Sequence, residues 1–157
     1  MDDYSKLAPY LDSNFQDFEV FGAYFNNKID YTRASFNLTD SEVTSWVEVG
    51  NVSKIGGDLY CNSSSIKTLD GLESVDGELN LSLSPIISLG NLKSVGGNLF
   101  LYGTKITTLG NLEKVGGNLD IGGLPLTSLG NLKEVKGEIY YDKKTKVEEL
   151  LKESGLI

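Results

Sequence analysis

The sequence predicts a mainly β fold, a right-handed parallel β-solenoid of about five turns with helical caps at both ends. Three observations predict it: an aliphatic pattern that returns every 20 residues, a glycine that returns in register with it, and a break in the pattern on either side.

The columns begin at Asn51. Val52, Leu72, Leu92, Leu112 and Leu132 form one, Ile55, Val75, Val95, Val115 and Val135 a second, and Leu59, Leu79, Leu99, Leu119 and Ile139 a third. Cys61, Leu81, Leu101, Ile121 and Tyr141 form a fourth. Ile66, Ile86, Ile106 and Leu126, with Leu69, Leu89, Leu109 and Leu129, complete the set. Within each unit a segment such as Gly97 to Tyr102 alternates apolar and variable residues, the signature of a strand buried on one face. Stacked units pair these strands in parallel at ~4.8 Å per rung, which makes a rod on the order of 20 to 25 Å long. Gly57, Gly77, Gly97, Gly117 and Gly137 mark a backbone position expected to need positive φ or close approach.

The flanks read as caps. Lys146 and Glu149 fall in columns that are aliphatic in earlier turns, so the solenoid spans 51–141 and residues 142–157 form a C-terminal capping helix. Thr145 and Glu148 have capping-box spacing, and Val147, Leu150 and Leu151 share one helix face. Residues 1–50 form an acidic, aromatic N-terminal capping region. Within it Thr39 to Glu42 offers a helix start and predicts a helix over 40–48, with Trp46 as a plug over the first rung. An early helix is expected after Pro9. The aromatic stretch from Tyr10 to Phe36 has no clean period, and its acids and aromatics fit either a packed cap or an arm that touches a partner.

The units read Leu-x-x-Val-x-Gly-x-Leu-x-Leu, as in Leu92 to Leu101. Over 51–141 this resembles leucine-rich repeats of the receptor L-domain type, and the resemblance implies a solenoid that works by binding proteins. The chain departs from those receptors in having no cysteine pair, and where such repeats often carry Asn it has Ser64, Ser84, Thr104 and Leu124.

Composition narrows the function. Cys61 is the only cysteine and histidine is absent, which removes the commonest zinc ligands and the commonest general base, so no metal or cofactor is expected. The net charge of -8 argues against binding nucleic acid directly. The acidity is concentrated, with net -6 over residues 1–50 and net -2 over the remainder. No apolar run approaches membrane-spanning length, and Met1 leads straight into Asp2 and Asp3, so a cytoplasmic protein without a membrane contact is expected.

If the aliphatic columns face inward, their strand neighbours face out. That yields a ladder of Asp58, Glu78, Asn98, Asn118 and Glu138, and another of Tyr60, Asn80, Phe100, Asp120 and Tyr140. The candidate partner-binding residues are therefore Asp58, Tyr60, Glu78, Phe100, Tyr102, Asp120, Glu138 and Tyr140. Aromatics on a rigid sheet rimmed by carboxylates suit an interface with a protein that carries a basic patch. Two alternatives stand beside this non-catalytic reading. A compact acidic protein suits a viral or mobile-element inhibitor that mimics nucleic acid and occupies the basic groove of a bacterial nucleic-acid-handling protein. Asp58 and Glu78, one rung apart at ~5 Å, have the carboxylate separation of a retaining glycosidase, which suggests a carbohydrate-active β-helix.

Overall fold

The computed structural model describes residues 4–12, 24–25, 28–29 and 33–157. It is a parallel β-solenoid of about five turns. Each turn contributes two short strands rather than the one expected from the alternation. One strand of each turn joins a six-stranded parallel sheet of Phe36–Asn37, Leu59–Tyr60, Leu79–Asn80, Leu99–Phe100, Leu119–Asp120 and Ile139–Tyr140. The other joins a five-stranded parallel sheet of Lys54–Ile55, Ser74–Val75, Ser94–Val95, Lys114–Val115 and Glu134–Val135. A third side is held by sparser parallel bridges, Thr68 to Ser88 and Thr108 to Ser128 among them.

Registers step by one repeat: Leu59 lies beside Leu79, Leu79 beside Leu99, and Val75 beside Val95. Residues 59, 79, 99 and 119 are completely buried, as are Val52, Leu72, Leu92 and Leu112. The interior is one continuous aliphatic stack shared by every turn. No turn could bury its own columns alone, so the fold draws its stability from the contacts between neighbours.

The stack starts earlier than Asn51. Phe36 pairs with Leu59 and Ser45 bridges to Thr68, so the segment from Ala34 to Val49 is an irregular first turn. Phe36, Leu38, Val43, Trp46 and Val49 fill its interior. Trp46 is the expected plug, completely buried, with Nε1 donating to the Val52 carbonyl at 2.7 Å. The helix expected over 40–48 is instead a single 3-10 turn, Trp46–Val49, because Asp40 sits at φ 57 and breaks any helix there. Its start is fixed by Glu48, whose Oε1 accepts from the Ser45 N–H at 3.2 Å. Hydrogen bonding from Thr44 holds the Glu48 carboxyl below its ordinary range. The stretch in which a helix is expected after Pro9 lies largely outside the described residues; what precedes it is a 3-10 helix, Tyr4–Tyr10, with Pro9 inside it and Leu7 buried.

The C-terminal cap is an α-helix, α1 (Lys146–Ser154), which buries Val147 and Leu151. Neither arm of the expected Thr145 box is made. Thr145 Oγ1 donates to the Asp142 carbonyl, while Glu148 accepts from the Lys144 N–H and pairs with Lys152 at 2.8 Å.

The repeated glycine at 57, 77, 97, 117 and 137 is needed for close approach, not for φ. A Cβ on Gly97 would stand 2.9 Å from the Gly77 backbone, and one on Gly137 would stand 2.7 Å from Gly117. Positive φ is found at other glycines, Gly90, Gly110 and Gly130, at 56 to 58°.

Candidate interaction face

The strands of the six-stranded sheet turn one side chain inward and its neighbours outward. Leu59, Leu79, Leu99 and Leu119 point in, so Asp58, Tyr60, Glu78, Phe100, Asp120, Glu138 and Tyr140 share the outer surface. Tyr102 stands at the corner that follows the strand, 53% exposed. All eight predicted residues thus belong to one continuous face. Its three outward columns, from Asp58 to Asp142, carry the carboxylates of Asp58, Glu78, Asp120, Glu138 and Asp142 and no Lys or Arg. The five-stranded side is different, with cations and anions interleaved in ion pairs such as Lys54–Asp76, Lys93–Glu73 and Lys133–Glu113. A shallow groove of about 300 Å³ on that side, lined by Ser94, Gly96, Lys114, Gly116, Glu134 and Lys136, has mixed charge as well.

The first outward column serves the backbone. Asp58 Oδ1 accepts from the Glu78 N–H at 2.7 Å, Asn98 Oδ1 from the Asn118 N–H at 2.9 Å, and Asn118 Oδ1 from the Glu138 N–H at 2.9 Å. Ser35 Oγ begins the series by accepting from the Asp58 N–H. Glu78 is a methylene too long for this role and accepts instead from Asn98 Nδ2 at 3.2 Å. Asp58 Oδ2 accepts from the Tyr60 hydroxyl at 3.2 Å, so both its oxygens are engaged. Such a carboxylate is tied to holding the ladder, which counts against Asp58 as half of a glycosidase pair.

The second column alternates. Asn37, Asn80 and Asp120 fold back to accept from the N–H two residues on, that of Thr39, Ser82 and Gly122, at 2.9 to 3.1 Å. Between them, on every second rung, stand Tyr60, Phe100 and Tyr140, about 10 Å apart. Tyr60 and Phe100 therefore have a short polar side chain on either side rather than another ring, and Tyr140, on the last rung, has Asp120 on its one paired side. Both tyrosines are braced along their own strand: Tyr140 donates to Glu138 Oε2 at 2.8 Å as Tyr60 does to Asp58. Partial burial, with the charges of Asp58 and Glu78, pushes the Tyr60 phenol up to about 12, and the Glu138 hydrogen bond raises that of Tyr140. Both are neutral donors at physiological pH.

Leu83, outside the alternation of the strand, also lies exposed beside this face. The corner after each strand is left-handed, with φ 54 at Ser63, 59 at Leu83, 70 at Gly103 and 72 at Gly123. A leucine there costs about 1–2 kcal/mol relative to the right-handed region. Burial does not offset the cost, because Leu83 is 62% exposed. The signal was available as the one apolar residue in a column that otherwise holds Ser63, Gly103, Gly123 and Lys143. The N-terminal cap adjoins this face, since the Asp12 N–H donates to the Ser35 carbonyl and the Asp12 charge reaches Tyr60.

Among the described residues no group of His, Cys, Asp and Glu could hold a metal ion, and no helix is long and apolar enough to cross a membrane. Compared with protein-family models, curated proteins and solved structures, the chain matches none.

Proposed function

We propose that this chain is a non-catalytic protein-interaction module that binds a partner with a basic patch through the outer face of its six-stranded sheet. The observation that carries this reading is the segregation of charge. Five carboxylates and three alternating aromatic rings share a rigid surface that holds no cation, while the Lys residues of the other sheet are largely paired. Braced aromatic rings lose little side-chain freedom on binding, and a single-signed field steers an oppositely charged partner. The spacing of the turns also supports their reading as leucine-rich repeats, whose solenoids commonly bind proteins, and the absence of a cysteine pair fits a cytoplasmic setting.

The test is affinity capture from the source cell or its host, beside a variant with Tyr60, Phe100 and Tyr140 changed to Ala. The expected result is a specific partner whose affinity falls on the order of a hundredfold in the variant. A partner retained at full affinity would overturn the strand face as the contact. The same cation-free face supports a second reading, an inhibitor that fills a nucleic-acid-binding groove. In that case the association rate falls steeply with salt and nucleic acid competes with the chain.

A further inference from the structure

We infer that Leu83 and Tyr102, with Phe100 beside them, form the anchor of this face, and that its occupant is an extended peptide segment with a bulky apolar side chain between two Lys or Arg residues. The inference rests on the protein-binding reading above and names the chemistry of the partner.

The two side chains are seated on bare backbone. Leu83 Cδ2 lies 2.8 Å from where a Cβ on Gly103 would be, and the Tyr102 ring lies 3.5 Å from a Cβ on Gly122 and 3.9 Å from one on Gly123. Glycine at 103 leaves the room that Leu83 occupies, and the Tyr102 ring rests at ordinary contact distance over Gly122 and Gly123, yet the two side chains remain 62% and 53% exposed. Leu83 is therefore held in an unfavourable backbone conformation without being used by the core of the free protein. Strain retained without local gain is the mark of a position used in a contact.

What surrounds the anchor defines its occupant. Phe100 ends the strand two residues before Tyr102 at its corner, with Asp120 on the next rung of its column. Asp142 reaches the corner itself, where its Oδ2 accepts from the Gly123 N–H at 2.9 Å. Toward the other end of the stack lie Glu78 and Asp58. Counted along the axis from the turn of Phe100 and Tyr102, carboxylates thus stand on both sides, one to two rungs or roughly 5–10 Å away, with Glu78 in the same turn as Leu83. A chain extended at ~3.3 Å per residue places cations two or three residues on either side of a central apolar residue to meet them. A flat sheet offers no groove to seat a helix, which favours the extended form.

The experiment selects a displayed library of random twelve-residue peptides on the intact chain at low salt, then measures one enriched peptide by fluorescence anisotropy. Enriched sequences should carry a bulky apolar residue flanked by Lys or Arg. Leu83→Gly should weaken the peptide about tenfold while leaving the melting temperature no lower than that of the parent. Ile87→Ala, at another exposed apolar residue beyond the corner, should change neither. Failure to enrich any peptide, enrichment of sequences without cations, or binding indifferent to Leu83→Gly would each overturn the inference. If a cellular partner is still lost in the triple aromatic variant while no peptide is enriched, the binding face stands and only the extended segment is refuted.

Discussion

The interior position following each inner strand shows how narrow the tolerance is at a single residue. Ser64 and Ser84 are buried, and each hydroxyl donates to the carbonyl three residues back, of Cys61 and Leu81, at 2.6 Å. Thr104 occupies the same position, and its buried Oγ1 has no hydrogen-bond partner. Replacing it with a valine of the same shape removes an unsatisfied polar group, so Thr104→Val should gain about 1 kcal/mol in chemical denaturation. Cys61 presents a different buried group. Burial pushes its thiol up to about 12 from an ordinary value of 9.0. In the unfolded chain the thiol ionises first, so stability is intact below pH 9.0 and declines as the pH rises toward 12. Melting temperatures across that window should fall less in Cys61→Ala than in the parent, and the native thiol should resist alkylation below it.

Between residue and molecule the unit is the turn, and what sets the distance between turns is glycine. A Cβ on Gly116 would lie 2.1 Å from the Gly96 carbonyl oxygen, whereas one on Gly110, at φ 56, would meet nothing within 4 Å. Gly116→Ala should therefore force two turns apart at a cost of about 3 kcal/mol. Gly110→Ala should cost only about 1 kcal/mol, the conformational term. Equal losses in equilibrium unfolding would mean that close approach is not what the first glycine provides. This distinction was not legible in the sequence, where glycine dominates both columns and each is interrupted, by Asp76 and Lys136 in the first and by Asp70 in the second. The long inner strand column was legible, because Leu59 to Ile139 alternate with polar neighbours over several residues. The five-stranded sheet was not, because its strands are two residues long and show a single inward Ile or Val. The first turn was missed because Phe36 pairs with Leu59 and Ser45 with Thr68 at an offset of 23, out of phase with the period of 20. The outward residues could be placed in advance because inward and outward alternate strictly, but the bracing of Asp58 and the strain at Leu83 depend on neighbouring turns that no single stretch of sequence contains.

At the scale of the molecule every turn touches only the turns beside it, so the ends govern how the stack opens. The C-terminal end is protected by α1, and Val135, Ile139 and Tyr141 in the last turn are less buried than their counterparts further in. Leu151→Ala should cost about 2–4 kcal/mol, and the loss should be uneven. In hydrogen exchange the amides of Leu119 and Ile121, which donate to Glu138 and Tyr140, should open faster, while those of Leu59 and Cys61 should keep their protection. Uniform acceleration at all four would show that the stack opens as one unit.

The alternation of ring and short polar residue along the second outward column has a consequence for how such a molecule can change length. The core repeats with every turn, but this outward column repeats only with every second one. Duplicating a single turn would preserve the packing yet bring two rings, or two folded-back Asn or Asp residues, side by side and put the rest of the pattern out of step. Duplicating a pair would keep both. The face and the core thus run as two clocks with a ratio of two to one, and only growth by even numbers of turns keeps them synchronised.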